Sequence, residues 1–377
     1  MLDHAGLRLG YSFYAGRSFR VSGFRCRLEI VRVMTDRVSH AVAWARWRAN
    51  LGGPIAIIAA AFVVAGVFLL PFGINPLNVY GEIVAGSFGS LNGLSETLLF
   101  MTPILLTGVA TIISFRCGMW NVGADGQLYL GAIATVGVGF NSLELPSFVL
   151  LPVMALAAFV GGGAWAAVPA FLRIYFNANE IIVTIMMNFL ALILAAFLIS
   201  GPWASGVEPV SAPIAPEGFL PIILPGARLH ANFLLALAVV ALVAFLLDRT
   251  ILGYRIRVVG QNPRAARVAG IPVERVIFLS FVLSGGVAGL AGFGEIAGIH
   301  HKLPDGLSPG YGFTGIAVAL LASLNPVWSV VSALFLAALN IGADAMQRRV
   351  GVPVSFVWVI EGFILLSLLG SGALRRA

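Results

Sequence analysis

The chain contains long, uninterrupted apolar blocks, and these constrain its fold more than any other feature. The stretch 231–247, for example, carries no charged residue. A block of about 20 apolar residues matches the roughly 30 Å hydrocarbon core of a bilayer. Inside lipid only a helix or a closed barrel satisfies the backbone, and barrel strands alternate apolar with polar residues. Because the blocks here are continuous, they predict an all-α, polytopic transmembrane helical bundle.

The composition supports a membrane location and argues against several functions. Of the 377 residues, 59% are hydrophobic and only 10% are charged, which is too little charge to cover a soluble protein of this size. The net charge of +7 comes from Arg residues beside apolar blocks, so membrane lipid is expected as a partner and nucleic acid is not. The Cys and His residues show no metal-ligand spacing, and the sequence contains no P-loop motif GxxxxGK(S/T). We therefore expect no cofactor and no enzymatic activity on this chain.

The apolar blocks predict ten spans and a topology. The predicted spans lie at 55–72, 95–115, 123–140, 148–172, 181–200, 231–247, 276–298, 313–324, 327–345 and 353–370. The loop 248–275 has six Arg against two acidic residues and should be cytoplasmic, whereas the loop 201–229, with one Arg and two Glu, should be external. Eight spans are the alternative, if the third and eighth segments are re-entrant.

The expected organisation is a basic cytoplasmic N-terminal arm over 1–50, followed by a transmembrane domain over 51–372. Arg375 and Arg376 place the C-terminus inside as well, and equal sidedness of the two ends requires an even number of spans. Arg348 and Arg349 are the exception, because this N-in/C-in topology places them outside.

The basic loop contains the signals of a short, well-bounded helix. Asn262 can cap a helix, and Pro263 fits its first position. Gly270 suits the left-handed residue that ends it. Such a helix could dock in a groove of a partner protein and carry force to both flanking spans. The alternative is a plain basic loop that anchors on anionic lipid.

Two polar clusters are candidates for a solute pathway. Asn121, Asp125 and Gln127 lie among glycines near a predicted membrane boundary, where they could form a gate or simply permit tight packing. Glu180, with Thr184 and Asn188 at successive i+4 positions, forms a polar stripe that lines a pathway or joins helices.

Glu361 is the most interior acidic residue in the predicted spans. A buried carboxylate needs a partner, a proton or water, so proton coupling is conceivable. This residue supports the alternative that the chain is a secondary transporter driven by Na⁺ or H⁺.

Three stretches resemble a known family. They are WNVGADGQ at Trp120–Gln127, NEIIVTIMMNFLA at Asn179–Ala191 and GYRIRVVGQNPRAARVAGI at Gly253–Ile271. With these, residues 50–372 resemble the permease subunits of bacterial ABC importers in the ribose and branched-chain amino-acid group. Within that group the chain is most similar to nucleoside-type permeases that work with basic-membrane-protein-type binding proteins.

The resemblance implies a transporter of several subunits in the bacterial cytoplasmic membrane. A separate ATP-binding subunit would dock on the coupling helix in the basic loop, a second permease would complete a homo- or heterodimer, and an extracytoplasmic binding protein would deliver solute to the outer face. The implied coupling residues are Gly260, Gln261, Asn262, Pro263, Arg264, Ala265, Ala266, Arg267 and Gly270.

The implied cargo is a nucleoside or a related small polar solute. A planar base requires aromatic faces and ribose requires polar side chains, for which Phe189, Asn188 and Asn121 are candidates. The alternative is the same machinery with a simple sugar or an amino acid as cargo.

Overall fold

The computed structural model describes residues 59–140 and 145–374, and these are nearly all helical. The helices are α1 (Ala59–Leu69), α2 (Pro76–Phe88), α3 (Leu91–Arg116), α4 (Ala124–Phe140), α5 (Ser147–Phe176), α6 (Glu180–Ser200), α7 (Asn232–Arg249), α8 (Ile251–Gln261), α9 (Pro263–Val268), α10 (Val273–Glu295), α11 (Tyr311–Leu321), α12 (Pro326–Val350) and α13 (Ser355–Leu374). Within the described ranges, strand-like pairing is limited to isolated bridges. The predicted arm at 1–50, the start of the first span and both C-terminal Arg residues lie outside the described residues.

The long helices confirm the predicted polytopic class. Among the helices of the described residues, six are long and apolar enough to cross a membrane: α3, α5, α6, α7, α12, and α10 together with the π-helical turn Ile296–His300 that extends it. Three shorter apolar helices, α1, α11 and α13, accompany them in the described ranges. The chain is therefore a multi-pass helical membrane protein.

Glycines allow the central helices to touch backbone to backbone. Helix α10 packs mainly on α5, α4 and α3. A Cβ atom at Gly289 of α10 would lie 2.2 Å from the carbonyl O of Ala158 in α5, and one at Gly292 would lie 2.1 Å from that of Leu128 in α4. In a membrane, where apolar helices gain little by leaving lipid, such close approach supplies much of the packing energy.

The bundle has two distinguishable ends. The end that carries α8 and α9 is called the α9 end, and the opposite end, covered by residues 201–231, is called the loop end. At the loop end this segment hydrogen-bonds to the chain that follows α10, for example from the Ile214 amide to the His301 carbonyl at 2.8 Å. It also reaches the end of α4, where the Ala215 amide donates to Gly139 at 3.3 Å.

The segments that contain α4 and α11 both run from one end to the other. Before α4, Gly118 lies beside Gly260 at the α9 end, and α4 finishes at the loop end. In the other segment Pro304 pairs with Val210 at the loop end, and Leu324 accepts a hydrogen bond from Arg116 at the α9 end. Helix α11 itself is only about 16 Å long, so irregular chain covers the rest of this crossing.

Two helices were not predicted. Helix α2 is too short to register as a span, and it is held by tertiary contact with α12, where a Cβ atom at Gly342 would lie 2.4 Å from the Ile83 carbonyl O. Helix α8 lies in the stretch predicted to be mostly basic loop. It is amphipathic, with Gly253, Ile256 and Val259 buried against the bundle and charged residues outside.

Candidate functional site

Helices α8 and α9 form an elbow, and α9 has the local structure that the sequence predicts. The Asn262 side chain accepts hydrogen bonds from the amides of Arg264 and Ala265, both at 3.0 Å, and Pro263 occupies the first helical position. Gly270 ends the segment with φ +77°. Because these signals are local in the chain, the start and the end of the helix can be read from its own sequence.

Helix α9 projects from the bundle. The predicted coupling residues from Gln261 to Ala265, with Arg267 and Gly270, are exposed, whereas Gly260 is half-buried and Ala266 is fully buried. Val268 is 92% exposed although it is apolar. A capped helix that is anchored by one small residue and presents the rest outward is suited to contact another protein.

Four of the predicted pathway residues form one buried hydrogen-bonded network. The side-chain nitrogen Nδ2 of Asn121 donates to Oε1 of Gln127 at 3.1 Å and to the hydroxyl of Ser284 in α10 at 3.0 Å. Asn188 of α6 accepts from the Gly126 amide at 2.8 Å and donates to the Val122 carbonyl at 3.0 Å. Thr184, also on α6, accepts from the Val122 amide at 3.3 Å, one turn before Asn188.

This network fixes the start of α4. Each of its four predicted members is buried, at 0 to 8% exposure, and its partners lie on α6 and α10 and in the chain before α4. In this conformation the network joins helices, which is one of the two roles that the sequence leaves open for these residues. Ser284 was missed because a serine within a glycine-rich helix gives no separate sequence signal.

Asp125 makes a different connection. One of its carboxyl oxygens accepts hydrogen bonds from the Ser308 hydroxyl at 2.7 Å and from the Gly312 amide at 2.9 Å. The starts of α4 and α11 therefore meet at this side chain, well inside the bundle.

The sequence GLSPG at 306–310 fits the GxSxG pattern of a hydrolase nucleophile turn. In such a turn the serine follows a strand, whereas Ser308 follows no strand in the described chain. Its hydroxyl donates to Asp125 instead.

The remaining predicted pathway residues lie apart from the network. Glu180 begins α6 and pairs with Arg173 at 3.4 Å. Phe189 is 57% exposed on the outside of α6. Glu361 of α13 accepts a hydrogen bond from Asn340 of α12 at 2.6 Å, which supplies the partner that an intramembrane carboxyl requires. The structure therefore does not bring the eight predicted residues together into one site.

The described residues form a multi-pass helical bundle with an exposed, capped helix at one end. The family described as branched-chain amino acid transport system / permease component matches residues 93–369, and the chain belongs to it. The predicted membership of this permease group is confirmed. The chain is a transport subunit rather than an enzyme.

Relatives with similar names match over most of their length. The chain is 36% identical to the glucose ABC transporter permease protein of Haloferax volcanii, covering 86% of this chain and 88% of that one. It is 33% identical to the guanosine ABC transporter permease protein of Bacillus subtilis, covering 91% and 97%. It is 28% identical to the nucleoside ABC transporter permease protein of Lactococcus lactis subsp. cremoris, covering 83% and 88%.

Proposed function

We propose that this chain is the membrane-spanning permease of an ATP-driven importer and that α9 is the helix on which a separate ATP-binding subunit acts. The observation that carries the proposal is the exposed, capped α9, joined through α8 to α7 and directly to α10. Permeases of ABC systems work with an ATP-binding partner, and in this chain that partner would bind the exposed α9 between two spans. A second permease, identical or related, would complete the translocation unit.

The topology that fits this assignment has ten crossings, with both termini in the cytoplasm of a bacterium and the chain in its cytoplasmic membrane. The end-to-end courses of the α4 and α11 segments support ten crossings over eight. Arg349, one of the two basic residues that this topology places outside, pairs with Glu82 of α2 at 2.8 Å. That pairing offsets the unfavourable position of an external Arg residue.

The loop end is the proposed docking face for an extracytoplasmic binding protein. Residues 201–231 fold over this end and are joined to the chain after α10 through the amides of Ser211 and Leu220, at 3.0 and 2.8 Å from their acceptors. A surface crevice of about 450 Å³ lies here, lined by part of the 205–213 segment and by Lys302. A folded surface of this kind can receive a partner without first becoming ordered.

The proposed cargo is a nucleoside, with a hexose as the second candidate. The guanosine and nucleoside permeases support the first, and the 36% identity to a glucose permease favours the second. The assay is uptake of labelled guanosine and, in parallel, of labelled glucose into proteoliposomes, each in competition with excess adenosine, glucose or leucine. Competition by adenosine but not by glucose supports a nucleoside carrier, and the reverse pattern supports a hexose carrier. Competition by leucine alone would contradict both.

The coupling role is tested by removing the cap of α9. Asn262→Ala should cost about 1 kcal/mol of local helix stability and lower uptake together with solute-dependent ATP hydrolysis. The matched control is Asn75→Ala, which removes the same Asn-Pro cap from α2, far from the elbow.

Both variants should accumulate in the membrane at the wild-type level. Loss of uptake in the Asn262 variant alone supports the proposed coupling role. Equal uptake in the two variants, with the ATP-binding subunit still co-purifying, would exclude a coupling role for α9.

A further inference from the structure

One side chain joins the end of α3 to two other parts of the bundle. Arg116, the last residue of α3, donates from Nε to the carbonyl O of Leu324 at 2.8 Å, and its terminal nitrogen lies 3.2 Å from a carboxylate oxygen of Asp248. Asp248 lies at the end of α7, and Leu324 lies in the turn between α11 and α12. The Arg116 side chain is only 18% exposed. A planar guanidinium can hold two such acceptors at once, which a lysine ammonium cannot do in the same geometry.

Helix α8 of the elbow rests directly on the same point. A Cβ atom at Gly260 would lie 2.1 Å from the carbonyl O of Arg116, and one at Gly118 would lie 3.2 Å from the Cα of Gly260. Arg257 of α8 adds a contact of 3.4 Å to Asp248. Because backbone meets backbone here, α8 cannot press toward the bundle without moving the end of α3.

The turn that Arg116 holds has an unusual backbone. Ser323 and Leu324 have φ values of +50° and +59°, a left-handed region that residues other than glycine seldom occupy. Such a conformation is unfavourable for leucine and persists only where surrounding contacts maintain it. The Leu324 amide donates to Ala319 at 2.9 Å, and its carbonyl accepts from Arg116. The Ser323 amide likewise donates to Leu320 at 2.9 Å, so the turn is closed by bonds to the end of α11, and Arg116 attaches this closed turn to the end of α3.

Helix α11 connects this turn to the interior of the bundle. It runs parallel to α3, where a Cβ atom at Gly108 would lie 2.7 Å from Val318 and the Thr107 hydroxyl donates to the Tyr311 carbonyl at 2.9 Å. Thr107 lies about 14 Å along α3 from Arg116. At that depth the start of α11 is bound to Asp125 of α4.

We propose that Arg116 is the positioning residue through which movement of the α8–α9 elbow reaches α11 and its junction with α4. The inference rests on the proposed function, since it takes α9 as the point where the ATP-binding subunit acts. A displaced elbow moves the end of α3 at Gly260, and Arg116 transfers that displacement to the left-handed turn. The turn then shifts α11, which carries the change to Asp125 inside the membrane domain.

The test uses the assembled transporter in proteoliposomes, with the cargo that the competition assay selects, labelled guanosine or labelled glucose. The variant Arg116→Lys keeps a positive charge near Asp248 but cannot hold both acceptors. The variant Leu324→Gly loosens the turn that Arg116 holds, because glycine adopts left-handed and right-handed conformations about equally readily. The control is Arg349→Lys, which alters another Arg–carboxylate pair, remote from α8 and α11.

We expect Arg116→Lys to lower solute transported per ATP hydrolysed by about tenfold, with the ATP-binding subunit still bound. Leu324→Gly should lower this ratio in the same direction, and Arg349→Lys should leave it unchanged. If Arg116→Lys fails to assemble, the Leu324→Gly ratio decides, and a wild-type value there overturns the proposal.

A wild-type ratio in both Arg116→Lys and Leu324→Gly, beside a lowered ratio in Asn262→Ala, refutes the role of Arg116 and leaves the coupling role of α9 intact. A wild-type ratio in Asn262→Ala, with reduced ratios in the other two, instead refutes the coupling role of α9. The two failures are therefore distinguishable.

Discussion

Two replacements of Asp125 test whether its carboxylate only joins the starts of α4 and α11 or also contacts the transported solute. Asp125→Leu removes the acceptor for the Ser308 hydroxyl and the Gly312 amide, whereas Asp125→Asn keeps a carbonyl oxygen in the same place. If Asp125 serves only to join the starts of α4 and α11, the first variant should damage the protein and the second should not.

The structure sets the expected magnitudes. In Asp125→Leu the amide of the buried Gly312 loses its acceptor at about 1–3 kcal/mol, and the partly buried Ser308 hydroxyl loses less because it can turn toward water, so the total loss is about 1–4 kcal/mol. In Asp125→Asn both hydrogen bonds can persist in weaker form, for a loss of about 1 kcal/mol. The control on the same helix is Thr135→Val, which removes only a hydrogen bond from a side chain to its own helix backbone.

The assay is the half-life of the detergent-solubilised transporter at a fixed elevated temperature, read together with uptake per folded molecule, because unfolding of such proteins is commonly irreversible. Asp125→Leu should shorten the half-life strongly, while Asp125→Asn and Thr135→Val should stay near the wild type in both measurements. A wild-type half-life for Asp125→Leu would refute the clamp. Lost uptake at a normal half-life in Asp125→Asn would show instead that the solute path uses the carboxylate.

Two further predictions concern the glycine contacts and the loop end. Gly289→Ala should destabilise the transporter by about 1–3 kcal/mol, because the methyl group would lie 2.2 Å from the Ala158 carbonyl O. The control Gly81→Ala places its methyl group in open space and should not destabilise it. Equal thermal half-lives of the two variants would contradict this prediction. Burial, with His301 nearby, lowers the pKa of His230 from 6.5 to about 4. The associated stability is present above pH 6.5 and is lost as the pH falls toward 4, by about 2 kcal/mol at pH 5. His230→Gln should flatten the pH dependence of the half-life, and parallel profiles would rule this out.

The elements read correctly from sequence are those whose cause is local. A run of apolar residues forms a helix in lipid whatever its neighbours are, so the long helices could be predicted. Asn262, Pro263 and Gly270 act within two turns of chain, so α9 could be predicted with its start and end. Its partners could not be read from those residues and entered through resemblance to a family.

The elements that sequence reasoning missed depend on contacts between distant segments. Helix α2 is held by α12, and α8 is held by burial of one face. The polar residues predicted as a pathway show the same limit. Their spacing could be read from the sequence, but the residues that surround each of them could not. Asn188 binds the chain before α4, whereas Phe189, the next residue, faces outward.

The sequence by itself determined that this chain is a helical membrane protein with a bounded helix in its basic loop, because hydrophobicity and capping act over one helix length. Only the tertiary structure decided that Arg116 meets Leu324 and that Asp125 joins two helix starts. Those contacts link residues about 200 positions apart, and their geometry depends on how closely glycines let the helices approach. No local pattern encodes that distance.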